Sequence, residues 1–171
     1  MSSRKLLAAV FGVMFAGSAM ASDAPQAINA DPVSLKQALE VTKAEFDAEP
    51  IWADRQEQMG QALYNIQLVN AQGKVFYTMV SAQTGDVSLA YVKIEREPEQ
   101  VLKNAAWLSG VTEGRLQNLV EVIEDTEVAY DGQVYKIELD EDDGIFSNHL
   151  AYEMKYVNVK GSSKKAKLRA Q

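Results

Sequence analysis

Tyr64-Asn65-Ile66-Gln67-Leu68-Val69-Asn70-Ala71-Gln72-Gly73-Lys74-Val75-Phe76-Tyr77-Thr78-Met79-Val80-Ser81, continued by Ala82-Gln83-Thr84-Gly85-Asp86-Val87, is the stretch that decides the fold. Successive residues of an extended chain point to opposite sides, so Tyr64, Ile66 and Leu68 share one face and Asn65 and Gln67 the other. Gln72-Gly73 offers a positive-φ position between the two runs, which then read as an antiparallel hairpin. The turn at Thr84-Gly85-Asp86 leads into a further strand, Val87–Ile94. Between Val75 and Ser81 bulky side chains occupy both faces, so periodicity does not say which one is covered.

Upstream, 51–57 predicts another strand with Met59-Gly60 as its turn. Ahead of it Ser34 stands as a helix cap with Gln37 three residues on. Leu35, Ala38, Leu39, Thr42 and Phe46 then recur at helical spacing and make one apolar stripe, which Pro50 is expected to end. A one-sided sheet needs cover and an amphipathic helix needs a floor, so the two are expected to pack together.

Downstream, Glu95-Arg96-Glu97-Pro98 marks a boundary with Pro placed for a first helical turn. A short helix from Pro98 to about Leu108 is expected to bury Val101, Leu102, Ala105 and Leu108, with Gly110 breaking it. Thr112 is expected to cap the next helix, whose stripe is Leu116, Leu119, Val120 and Ile123. Residues 127–130, the turn Asp131-Gly132 and residues 133–140 read as a second hairpin of type I′, with Tyr135, Ile137 and Leu139 opposite Lys136 and Glu138. The acidic run 140–144 reads as a loop, leading to a strand with Leu150, Tyr152, Met154 and Tyr156 on one face. Residues 164–168 offer an edge strand or a frayed end.

Helix, hairpin and further strands thus occur twice, over 34–94 and 112–168. In Tyr64-Asn65-Ile66-Gln67-Leu68, Gly73-Lys74 and Thr84-Gly85-Asp86-Val87 the first copy resembles the PepSY domain family, departing from it at Ser81, where Asp is common. The second resembles the family in its helix and in Tyr135-Lys136-Ile137-Glu138-Leu139, with Gly161-Ser162-Ser163 in place of the closing Thr-Gly. The resemblance implies an α+β fold of two PepSY-like repeats, each a helix packed on an antiparallel β-sheet. It implies an exported bacterial protein of a class found in propeptides of thermolysin-type metallopeptidases and in cell-envelope proteins, where inhibitory or regulatory contact with peptidases has been proposed.

Export is also read from the N-terminus. Arg4-Lys5, the apolar run from Leu6 to Phe15 and Ala19-Met20-Ala21 have the layout of a signal peptide over 1–21, cleaved after Ala21. The run is too short to span a bilayer, which takes about 20 apolar residues. The expected mature protein begins at Ser22 with a flexible lead-in, 22–33, and is periplasmic or secreted. Residues 95–111 form the linker between the copies and 169–171 the tail. The chain has no cysteine, so neither a disulfide nor a lipidated Cys is available. Removing Arg4 and Lys5 takes the formal charge from −7 to −9, and residues 22–159 carry 10 basic against 24 acidic groups. Such a body repels phosphate backbones, which disfavours nucleic acid as a partner. The basic residues from Lys160 onward read as a solubilising terminus.

Chemistry-bearing constellations are few. His149 is the sole histidine, lies on the polar parity of its strand, and has no nucleophile motif to serve. No Cys and one His cannot build a zinc site without several carboxylates, and no cofactor is expected. Asp140, Asp142 and Asp143 invite a calcium reading, but an EF-hand loop from Asp140 would place Gly144 and Ala151 at ligand positions. Trp52 and Trp107, with Asn65 and Gln67 of the polar strand face, are the candidate binding surface. The expected function is a non-enzymatic periplasmic protein-binding or regulatory module, acting on a peptidase or other envelope protein; the alternative is a periplasmic binder of a small ligand or of calcium.

Overall fold

Ser34 starts the first helix by the reciprocal bonds its spacing predicts: its hydroxyl accepts the Gln37 N–H at 3.2 Å and its own N–H donates to the Gln37 side chain at 2.9 Å. The computed structural model describes residues 28–144 and 147–170, without the side chains of 141–144 and 147–148, so the signal-like segment and its cleavage site lie outside the described residues. After a 3-10 turn at Ile28–Ala30 come α1 Leu35–Phe46, β1 Glu49–Gln58, β2 Gln61–Val69, β3 Lys74–Ser81, β4 Val87–Ile94, α2 Pro98–Thr112, α3 Leu119–Tyr130, β5 Gly132–Gly144, β6 Ser147–Asn158 and β7 Ser163–Arg169. The fold is α+β: the seven strands form one antiparallel sheet in the order β4-β3-β2-β1-β5-β6-β7.

Strand parity decides what is buried. Tyr64, Ile66 and Leu68 are buried with Leu35, Ala38 and Leu39 of α1, while Asn65 and Gln67 point to the other side of the sheet and are half-buried. On the same covered side Leu119, Val122 and Ile123 of α3 meet Ile137, Leu139, Tyr152 and Met154, and α1 also packs on α3, so one core runs under both helices. The β1–β2 turn is Met59-Gly60, both at positive φ (51° and 78°), as a two-residue type I′ hairpin requires.

Several expectations are corrected. α1 ends at Phe46 on a left-handed Asp47, φ 48°, and Pro50 lies inside β1. It is tolerated there because the register shifts between Pro50 and Trp52 and pairing with β5 begins at Trp52. Gly110 does not break α2. The Leu116 side chain occupies the space a Cβ would fill, 2.4 Å away, so glycine permits a close approach within a continuing helix. α2 buries Asn104, Trp107 and Gly110; of the expected stripe Leu108 packs half-buried on the core, while Val101, Leu102 and Ala105 are exposed. Thr112 is therefore a helix end. Asn118 is the cap of α3, accepting from Val120 and Glu121 while the Glu121 side chain accepts from its N–H.

Residues 127–130 belong to α3, and Asp131 is its left-handed terminus at φ 46°. A helix stop and a type I′ turn both call for positive φ at Asp131, so that dipeptide alone did not discriminate. The acidic run 140–144 is strand, paired from Asp140↔Ala151 to Gly144↔Ser147. The basic residues Lys164, Lys165 and Lys167 likewise sit in β7, paired with β6.

Residues 28–33, expected to be flexible, are docked. Arg55 of β1 is buried on the helix side and grips Asp31 through Nε at 2.5 Å and a second guanidinium nitrogen at 3.1 Å. The Tyr64 hydroxyl donates to the Val33 carbonyl at 2.7 Å, and burial pushes its pKa well above the ordinary tyrosine value. Val33 in turn donates to the Ala82 carbonyl at 3.1 Å, and Ile28 packs with Tyr135 and Val157.

Two outcomes follow for urea unfolding. Leu68→Ala removes a fully buried side chain and is expected to cost about 2–5 kcal/mol, while Gln67→Ala leaves the midpoint nearly unchanged. Arg55→Met strands a buried carboxylate at Asp31 and is expected to cost about 3–5 kcal/mol, a loss that adding Asp31→Asn partly recovers.

Candidate binding face

The side of the sheet opposite α1 and α3 is organised by register. Residues directly opposite in neighbouring antiparallel strands point the same way, so chains of pairs define rows across the sheet. One row reads Tyr91, Tyr77, Gln67, Trp52, Glu138, Glu153, Lys167 from β4 to β7. The adjacent row reads Ser88, Met79, Asn65, Asp54, Lys136, Lys155, Lys165. Residues of the five inner strands in both rows are half-buried, in contrast to the buried helix side.

The two ends of these rows differ in chemistry. Across β4 to β1 they present aromatic, thioether and amide groups. Tyr77 and Tyr91 stack with ring centroids 4.1 Å apart at 15°, and Trp52 lies directly opposite Gln67. Rigid amphipathic rings of this kind supply contact area at low conformational cost. Across β5 to β7 the rows carry charge of both signs, with Lys136 on Glu138 at 3.4 Å and Lys167 on Glu153 at 3.2 Å. Exposed pairs of this kind add little stability and mainly order the surface.

Asp54 sits where the two chemistries meet, between Asn65 and Lys136. Burial pushes its carboxyl above the usual range, while a hydrogen bond from Gln56 and the ammonium groups of Lys136 and Lys155 pull it back. A cavity of about 250 Å³ opens beside this face, floored by Trp52, Gln67, Tyr77 and Glu138 and walled by Gln100 and Asn104 of α2. Asn104 is buried, its carbonyl oxygen accepting from Gln100 at 2.9 Å. The volume is below the roughly 300–1,000 Å³ of small-molecule pockets and suits a single inserted side chain.

Of the residues singled out from sequence, Trp52, Asn65 and Gln67 share this face. Trp107 does not: it is fully buried under α2, its indole N–H donating to Tyr152 at 3.2 Å, so it serves the core and not a binding surface. Asp140 is paired with Lys167 at 3.5 Å. The Asp142 and Asp143 side chains lie outside the described residues, and among the described residues no three His, Cys, Asp or Glu gather to hold a metal. His149 is exposed and opposite Asp142 in the ladder. Tyr77, Met79, Tyr91, Asp54 and Asn104 were not anticipated. For Tyr77 and Met79 the available signal was the bulk on both faces of β3.

Among the described residues no helix is long and apolar enough to cross a membrane. No family model matches the chain, and no curated protein matches it. Among solved structures the chain is similar to one described as a "putative lipoprotein" from Clostridium difficile 630, at 18% identity and a TM-score of 0.38, covering 79% of this chain and 93% of that one.

The raised pKa of Asp54 fixes the sign of a pH effect. Below the unfolded value near 3.8 the carboxyl is neutral in both states and carries no penalty. As pH rises through the higher folded value, ionisation favours the unfolded chain. Asp54→Asn is therefore expected to match the parent near pH 3 and to exceed it in stability at pH 7, as read by denaturant midpoints at the two pH values.

Proposed function

We propose that this protein is a non-enzymatic, exported binding module that holds a segment of another envelope protein against the open face of its sheet. One observation carries the reading: the row Tyr91-Tyr77-Gln67-Trp52, exposed at Tyr91 and half-buried at the other three, which sets three aromatic rings and an amide side by side beside a cavity of single-side-chain size. Aromatic anchors beside polar groups are the composition of binding hot spots. The signal-like layout of residues 1–21 supports export to the periplasm.

In this reading the chain is two PepSY-like repeats, 34–94 and 112–168. The strand order supports it. Each half places its first strand, β1 or β5, at the centre and steps outward in sequence order, with its own helix on the same side. α2 then belongs to the linker, 95–111, and the open face is shared by both halves. Regulation of a peptidase is the role the family resemblance suggests for such a face.

Affinity capture from an envelope extract, compared between the parent and variants, tests the proposal. A partner retained by the parent and by His149→Ala is expected to be lost by Trp52→Ala combined with Tyr77→Ala, a double change that removes the anchors on either side of Gln67. Capture unaffected by that double variant, with circular dichroism showing an intact fold, overturns the assignment to this face.

A further inference from the structure

The two edges of the sheet are unlike. β7 ends it with Lys164, Lys165, Lys167 and Arg169, a row of cations that opposes pairing with another copy of itself, which is how natural sheets keep edges from associating. β4 ends the other side with Val87-Ser88-Leu89-Ala90-Tyr91-Val92-Lys93-Ile94, whose one charge is Lys93. Its register puts Val87, Leu89, Val92 and Ile94 on the helix side, opposite Val80, Thr78, Phe76 and Lys74. Yet Leu89, Val92 and Ile94 remain 48%, 45% and 61% exposed. Apolar side chains in a row on an open strand edge are a template for further pairing.

The sequence of β4 also fits its own reverse. About a two-fold axis perpendicular to the sheet, between Ala90 and Tyr91, Val87 falls opposite Ile94 of the second copy and Leu89 opposite Val92 of the second copy, apolar on apolar in both cases. Lys93, paired with Glu95 of its own chain at 3.0 Å, falls opposite Ser88 of the second copy and diagonal to its Asp86, while Glu95 falls opposite that Asp86, so at each end of the pairing one ammonium sits beside two carboxylates. The register shift of β4 against β3 lies between Tyr77 and Thr78, with Ala90 as the extra residue. Both copies bring that residue to the axis, so two oppose two and the register is kept on either side.

We propose that the protein forms a two-fold symmetric homodimer by antiparallel pairing of β4 with β4 of a second copy, joining two seven-stranded sheets into one continuous sheet. The interface is isologous and closes on itself, so it ends at two chains. It covers the apolar strip that α1 leaves bare. It also brings the Tyr77–Tyr91 stacks of both copies together at the middle of a doubled open face. This assembly is independent of what that face binds.

Analytical ultracentrifugation of the mature chain up to millimolar concentration is expected to show a monomer–dimer equilibrium, with Leu89→Lys and Val92→Lys each monomeric and unchanged by circular dichroism. The chain has no cysteine, so introduced thiols report register directly. Leu89→Cys with Val92→Cys is expected to give a disulfide-linked dimer on mild oxidation, while Leu89→Cys alone gives little, because the two Leu89 are not opposite. A monomer throughout the concentration range, a dimer that survives both lysine variants, or equal cross-linking by the single and double cysteine variants each overturns the proposal.

Discussion

Three residue pairs, Trp52↔Glu138, Ala53↔Ile137 and Asp54↔Lys136, join the two halves of the sheet. Everything distinctive about the molecule depends on that short seam. It places Ala53 and Ile137 in one core under both helices, and it fixes the register by which the aromatic row of the first half continues into the charged row of the second. Backbone pairing alone is a modest tie at this length. The packing of α1 on α3 over the seam supplies the apolar burial that ladder bonds do not.

How much of this was legible in the sequence depended on whether local signals pointed one way. In 34–94 they mostly agreed: the Ser34/Gln37 cap, the Leu35–Phe46 stripe, Met59-Gly60, Gln72-Gly73 and the Tyr64/Ile66/Leu68 parity each specify one structure, and each is found, while Pro50, read as a helix stop, is admitted into β1 by a register shift. From residue 95 onward they conflicted. Asp131-Gly132 fits a hairpin turn and a helix stop equally well, and the choice falls to the helix because Val122, Ile123 and Thr126 bury on β5 and β6. Gly110 reads as a breaker in isolation and is a contact point for Leu116 in the fold. The acidic run 140–144 looks like a loop by composition, and hairpin pairing with β6, from Asp140↔Ala151 to Gly144↔Ser147, makes it strand.

The candidate face was half legible for a related reason. Parity exposes which residues share a side of one strand, so Asn65 and Gln67 were found together. Which strands stand beside one another is long-range information, and the row Tyr91-Tyr77-Gln67-Trp52 exists only once the order of the sheet is known. Trp107 shows the limit from the other direction. An isolated Trp on an expected linker helix carries no sign of whether it faces solvent or core, and here the hydroxyl of Tyr152, distant in sequence, gives its N–H a buried partner.

The central position of β1 and β5 also shapes the route by which the chain folds. Within each half every strand pairs with the one next to it in sequence, by contacts that close short loops and form early. The seam is different, since bringing Ala53 to Ile137 closes a loop containing β2, β3, β4, α2 and α3. Joining the halves is therefore the entropically expensive step. Once β1 has found β5, the same closure removes the one interior strand edge that each half would otherwise leave open during synthesis, so the slow step is also the one that ends exposure to mispairing.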